Sequence, residues 1–297
     1  MIQIIFVPGT FGSAVEQYIR CFTNNSTLET FNVAEDGSTH IYTLPYHFRC
    51  KHDLTDFLEY YKNLASEEIV SSIYPMADLC SDNVINFFAD EQFLQDKKIL
   101  ITINSTRDAE LVLLFQYYKQ ANGIIQKQTD FLFLHNLKDH LKELGENYKT
   151  IDDVPLWAVR EWFSLYYPGV ITTWIDINYD LPDCMTINFT NILYKTNETL
   201  KEIFKFCNKS LIKERELALA SVYWQDKQQY ILNEFNLLEK IVESTVNKIS
   251  FKWNKLHIIA ESIIQSRLRF MGYEIKCYNL NEFPTDSLVL NKLLERP

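Results

Sequence analysis

The sequence predicts an α/β fold: a mainly parallel sheet flanked by helices, followed by a helical C-terminal portion. Three observations carry this. Short apolar strands alternate with helical periodicity over the first 125 residues, the pattern of crossover-connected parallel strands. The clearest strands are near-continuous apolar runs, which suits a sheet covered on both faces. After residue 130 the pattern turns mostly helical.

The elements follow in order. Ile2 to Val7 is a β-branched apolar run and the first strand. Glycine-containing Pro8 to Ser13 turns the chain, and Ala14 to Thr23 is helical. Thr39 to Leu44 alternates as a second strand, stopped by Pro45. Leu54 to Leu64 has helical spacing with Asp53 as its cap. Glu68 to Tyr74 reads as the third strand and Asn83 to Phe93 as a helix. Lys98 to Ile103 is the fourth strand, and Asp108 to Asn122 a helix packing Leu111, Leu114, Phe115 and Tyr118. Val154 to Tyr166 is amphipathic, Met185 to Phe189 a short strand and Thr196 to Cys207 a helix. Leu211 to Asn233 and Asn254 to Phe270 complete the helices. No linker divides the halves, so the expectation is one domain over residues 1–297, helix-rich from about residue 210.

Composition narrows the function classes. With 297 residues, 47% hydrophobic and 14% aromatic, the chain can bury a large core. A net charge of -10 argues against general nucleic-acid binding, which needs a basic footprint. The six cysteines are scattered without a C-x-x-C pair, a pattern of reduced buried thiols rather than of zinc or a disulfide framework. No leader precedes the first strand and no apolar run approaches the ~20 residues of a membrane span. The expectation is a cytoplasmic protein; oligomeric state stays open.

Two segments offer anion-binding chemistry. Gly9-Thr10-Phe11-Gly12-Ser13 joins a strand to a helix start. Glycines let the backbone approach a ligand, Thr10 and Ser13 add hydroxyl donors, and the helix contributes its positive end. It lacks the lysine of a Walker A loop. Asn104-Ser105-Thr106-Arg107-Asp108 follows the fourth strand; Ser105 or Thr106 caps the next helix, and Arg107 can hold a phosphate bidentately or pair with Asp108 or Glu110. Ligands of parallel sheets lie beyond the carboxyl ends of the strands, so these loops are expected to converge. His47 follows the second strand and is the first choice for a general base. His135 and His140 lack the i, i+4 spacing of a zinc site, and His257 with Glu261 reads as a surface pair. No metal site is expected.

Together these segments resemble the PAPS-dependent sulfotransferases, a P-loop-like fold family. Val7 to Ser13 (VPGTFGS) is similar to its Y-P-K-S-G-T-T loop, with Thr10 roughly where the family has lysine. Asn104 to Val112 (NSTRDAELV) is similar to R-N-P-R-D-x-x-x-S through Arg107 and Asp108. Met185 to Cys207 resembles the family's later strand, Y-E-D-L and helix. Arg160-Glu161 lies in a helix that looks like the W-x-x-R-E-x-x-S helix of some bacterial and viral members.

The resemblance implies that Gly9, Thr10, Phe11, Gly12 and Ser13 hold the 5′-phosphosulfate of the donor PAPS, and Ser105 and Arg107 its 3′-phosphate. The product is PAP, and the acceptor a hydroxyl or amine of a small molecule, glycan or peptide. Its alignment sets Ile73-Tyr74-Pro75 against K-T-H-L-P, which makes Tyr74 or Asp78 the alternative base. Arg267 to Gly272 parallels a late R-K-G segment that reaches the 3′-phosphate. Arg20, Arg49 and Lys51 are cations that could replace the missing loop lysine. A kinase or glycosyltransferase of P-loop-like type, or a non-catalytic module retaining the fold, are the alternative readings.

Overall fold

The computed structural model describes residues 1–7, 9–24, 31, 33, 47–49, 69–73, 94–125, 159–160, 162–164, 166–168, 175, 180–246 and 256–273. The fold is α/β. Its elements, in order, are β1 (Ile2–Phe6), α1 (Gly12–Phe22), β2 (His47–Arg49), β3 (Ile69–Ile73), β4 (Lys97–Thr102) and α2 (Thr106–Ile125). They continue with β5 (Cys184–Asn188), α3 (Phe189–Tyr194), α4 (Thr196–Phe206), α5 (Glu214–Val246) and α6 (Leu256–Phe270). The chain divides into two compact units, each formed by two stretches: residues 1–104 with 173–228, and residues 105–172 with 229–297.

The first unit holds a five-stranded sheet in the order β2-β3-β1-β4-β5, with every pairing parallel. β1 is central. It pairs Ile2 with Ile69 on one side and with Lys97 on the other, and all five of its residues are buried. A parallel strand covered on both faces is mostly apolar, which is why Ile2 to Phe6 was readable as a strand; its one polar residue, Gln3, is buried and bonded. α1 is buried along its whole length, charged residues included. Glu16 and Arg20 solve that problem locally: Arg20 Nε donates to Glu16 at 2.9 Å, and Arg20 also donates to the Ile69 carbonyl at 2.6 Å.

Charge is used to pin the amino edge of the sheet. Gln3 donates to Asp96 at 2.7 Å, and Lys97 pairs with Asp183 at 2.7 Å. The fully buried Lys98 donates to the Asp96 and Pro182 carbonyls; burial pushes its pKa down. Cys21, Cys184 and Cys207 form no disulfide. Burial raises their thiols to about 11, 11 and 12 respectively.

Three features differ from the sequence reading, and one falls where nothing tests it. The predicted strand Thr39 to Leu44 lies outside the described residues. His47–Arg49 is itself a strand rather than a loop, because its backbone finds a partner in Ser71–Ile73; non-local pairing decides here over local composition. β5 stops at Asn188, whose side chain caps α3 by accepting from the Thr190 N–H at 2.9 Å. α5 runs to Val246, well past Asn233, since no Gly or Pro interrupts it and Phe235, Leu238, Ile241 and Val242 continue the buried stripe.

The second unit is helical among its described residues. Leu111, Leu114, Phe115 and Tyr118 of α2 are all buried, the face the sequence predicts. Polar pairs reach deep into this core. Glu110 accepts from Arg267 Nε and from its terminal nitrogen, each at 2.5 Å, and from the Tyr167 hydroxyl at 3.0 Å. Burial opposes the Arg267 charge, but Glu110 more than offsets this and raises its pKa. Arg160 donates to Glu261 at 2.6 Å. His257 and Glu261 are therefore core residues, not the surface pair expected from their spacing.

Removing one member of a buried pair strands the other charge. Arg267→Ala is expected to cost about 3–5 kcal/mol in chemical denaturation, and the double variant Glu110→Leu/Arg267→Met less than Arg267→Ala alone. The two buried thiols, Cys21 and Cys207, are expected to react with iodoacetamide at pH 8 far more slowly in the folded than in the denatured chain, read by peptide mass mapping.

Candidate functional site

The strand order selects one position for a ligand. From β1 the chain moves two places outward to the edge strand β2, whereas β2 to β3, β3 to β4 and β4 to β5 all step the opposite way. With right-handed crossovers, connections of opposite direction leave on opposite faces. The crevice opens at the carboxyl end of β1, whose connection runs opposite to those of both its neighbours, β3 and β4. The loop at that point is Gly9 to Ser13.

Its backbone is shaped by two left-handed residues, Gly9 at φ 94° and Phe11 at φ 67°. Glycine accepts that conformation freely; for phenylalanine it is an outlier that the surroundings must hold. They do so through the ring. Phe11 meets Trp224 of α5 edge-to-face, with centroids 4.8 Å apart, and Phe189 of α3 at 6.1 Å. Trp224 and Phe189 are both fully buried. Thr10 closes the turn twice over: its N–H and its hydroxyl both donate to the Val7 carbonyl, at 3.2 and 2.8 Å. The Ala14 and Val15 N–H groups donate to the Phe11 carbonyl at 3.0 and 3.1 Å. The N–H groups of Gly12 and Ser13 lie outside these bonds and open the helix, where its dipole is positive.

The strands on either side end nearby in register. Phe6 pairs with Ile73, the last residue of β3, and Ile5 with Leu100, two residues before the end of β4. Thr102, the last residue of β4, pairs with Asn188 of β5. The Thr102 hydroxyl lies 3.0 Å from the Asn104 amide oxygen, and the Thr190 hydroxyl 2.8 Å from that of Asn188. Where it is described, this edge of the first unit therefore presents backbone amides, hydroxyls and side-chain amides.

The remaining expected residues fall elsewhere. His47 opens β2 and pairs with Ser71, so its backbone lies two residues short of the carboxyl edge; Arg49, paired with Ile73, holds the edge position. The expectation that His47 follows a strand is thereby corrected. Arg20 sits at the opposite end of α1 from the loop, bonded to Glu16 and Ile69, and does not replace the missing lysine.

Ser105 and Arg107 belong to the second unit. Ser105 caps α2, its hydroxyl accepting from the Asp108 N–H at 3.1 Å. Arg107 pairs with Glu239 through two bonds of 2.8 and 3.1 Å and lies over the Phe235 ring. That partner is neither Asp108 nor Glu110, because a carboxylate from α5 takes both faces of the fork. Arg267 is spent on Glu110, and Arg269 bonds Ser164. Tyr74, Asp78, Lys51, His135 and His140 lie outside the described residues.

Sequence reasoning missed the aromatic anchor. Phe11 offered no polar chemistry, and Trp224 lies far from it in the chain. A signal existed in α5, where Leu217, Ser221, Trp224 and Gln228 form one buried stripe. Among the described residues no His, Cys, Asp and Glu group could hold a metal ion, and no helix is long and apolar enough to cross a membrane. No protein-family model matches the chain, and no curated protein matches it.

The loop depends on close approach at Gly12, where a Cβ would strike the Phe6 ring. Gly12→Ala is expected to cost about 1–3 kcal/mol by chemical denaturation, the usual range for overpacking.

Proposed function

We propose that the chain is a sulfotransferase-like transferase of the cytoplasm that moves a sulfuryl group from PAPS to a hydroxyl or amine acceptor. The observation that carries this reading is the placement of Gly9 to Ser13 at the switch point of an all-parallel sheet, directly before an eleven-residue helix. The acceptor oxygen or nitrogen bonds to sulfur as the bond from sulfur to the bridging phosphate oxygen breaks, and the electron pair leaves with PAP. The Gly12 and Ser13 N–H groups and the positive end of α1 face the charge that builds on that leaving phosphate.

A base takes the acceptor proton. β3 neighbours β1, and the chain leaves β3 directly into Tyr74 and Asp78. Tyr74 follows β3 in the sequence and Asp78 lies a few residues beyond, which keeps this segment as the alternative to His47 for the base. In the resemblance Arg107 serves the 3′-phosphate; within its own unit it is matched to Glu239.

One observation favours a second reading, a binding module that retains the fold without catalysis. Thr10 and Phe11 turn their side chains back into the protein, onto Val7, Trp224 and Phe189.

Calorimetry with adenosine 3′,5′-bisphosphate separates these readings. Saturable binding below millimolar ligand is expected, weakened about threefold to tenfold by Ser13→Ala through loss of one hydroxyl donor. Absence of binding at millimolar ligand overturns the sulfotransferase reading and favours the module. A thermal shift with magnesium ATP or a sugar nucleotide, but none with the bisphosphate, replaces it with a kinase or glycosyltransferase.

A further inference from the structure

The inner face of α5 in the first unit buries Leu217, Ser221, Trp224 and Gln228. The outer face of the same segment carries a second stripe with the spacing of a helix-pairing seam: Arg215, Leu219, Val222 and Asp226, separated by four, three and four residues. All four are exposed. Leu219 and Val222 stand out, at 62% and 64% exposure, and Tyr223 beside them is 50% exposed. A helix outer face is ordinarily polar at such positions. Among the described residues neither Arg215 nor Asp226 forms an ion pair.

The stripe reads the same in both directions in chemical terms: charge, apolar, apolar, charge, with the two charges of opposite sign. That is the property an isologous twofold interface requires, since each patch must complement itself. Laid antiparallel against a second copy, with the axis level between Ala220 and Ser221, Leu219 meets the second copy's Val222. Arg215 then meets its Asp226, and both contacts occur twice. The same register sets Tyr223 over the second copy's Ala218, a small residue opposite a large one. A parallel pairing would instead place Arg215 against Arg215 and Asp226 against Asp226.

We propose that this outer stripe of α5 is a self-association surface, and that its occupant is a second copy of this chain in antiparallel orientation. The stripe is about 17 Å long at 1.5 Å per residue. Its footprint falls below the roughly 800 Å² per partner of a tight interface. The dimer is accordingly a weak one, formed at concentrations on the order of 0.1 mM.

Sedimentation of the full chain from micromolar to millimolar concentration tests this. A reversible monomer–dimer equilibrium is expected, weaker at high salt because two ion pairs are involved. Arg215→Glu and Asp226→Lys are each expected to raise the dissociation constant about tenfold, since each turns two attractions into repulsions. The double variant Arg215→Glu/Asp226→Lys reverses both ends, stays self-complementary and is expected to recover most of the association. Leu219→Asp is expected to abolish it. All four positions are exposed, and circular dichroism checks that each variant stays folded.

A monomer at every concentration overturns the proposal. So does a dimer indifferent to the single reversals, or a double variant no stronger than either single one. Binding of an unrelated protein at this stripe by a chain that stays monomeric overturns it as well.

Discussion

The first unit depends on one constraint: β1 is sealed on both faces and hydrogen-bonded on both edges. Everything attached to its carboxyl end must leave a fully packed layer within a few residues. The consequences are local and specific. Phe6 closes the strand with a ring that leaves no room for a Cβ at Gly12. Gly9 and Phe11 turn through left-handed conformations, and Thr10 returns both of its donors to Val7. α1 then starts so close to the sheet that its charged residues are buried and must neutralise one another. The geometry that offers amide donors at Gly12 and Ser13 is thus a by-product of how a buried strand is allowed to end.

The two edges of the sheet divide the polar chemistry between them. The amino edge holds the buried pair Glu16–Arg20 against the Ile69 carbonyl, Asp96 bonded by Gln3, the partly exposed pair Lys97–Asp183, and the buried Lys98 among carbonyls. The described part of the carboxyl edge holds neutral donors and acceptors from Thr102, Asn104, Asn188 and Thr190, with the cation Arg49 at the end of the edge strand β2. Buried ion pairs resist rearrangement because breaking one strands a charge. Neutral groups at the other edge can exchange partners with water or a ligand at little cost. This asymmetry separates a part of the unit that is fixed from a part that is available.

The legibility of the sequence follows from the same physics. β1, β4 and the apolar face of α2 were readable because full burial leaves an uninterrupted or periodic apolar record. The short edge strand His47–Arg49 left no such record, since its existence rests on a partner more than twenty residues away in β3. The helix after β5 was hidden because Phe189 looks like a strand residue, and the capping role of Asn188 decides otherwise. At the candidate site the glycines and the helix start were legible. The occupation of Arg107 by Glu239, of Arg267 by Glu110 and of Phe11 by Trp224 was not, for each pairing joins residues more than a hundred positions apart. A sequence shows that an arginine is present; only tertiary packing decides which carboxylate reaches it first.

The central place of β1 has a further consequence for biosynthesis. Its two partners are β3 and β4, and Ile2 cannot pair with Lys97 until the chain has grown that far beyond it. At ribosomal rates of about 5–20 residues per second, this apolar segment waits roughly three seconds or more for β3 and roughly five or more for β4. During that interval it is an unprotected edge, the kind of segment that aggregates. The residue order that leaves the central strand buried along its whole length in the finished sheet also leaves it without partners until β3 and β4 have been made.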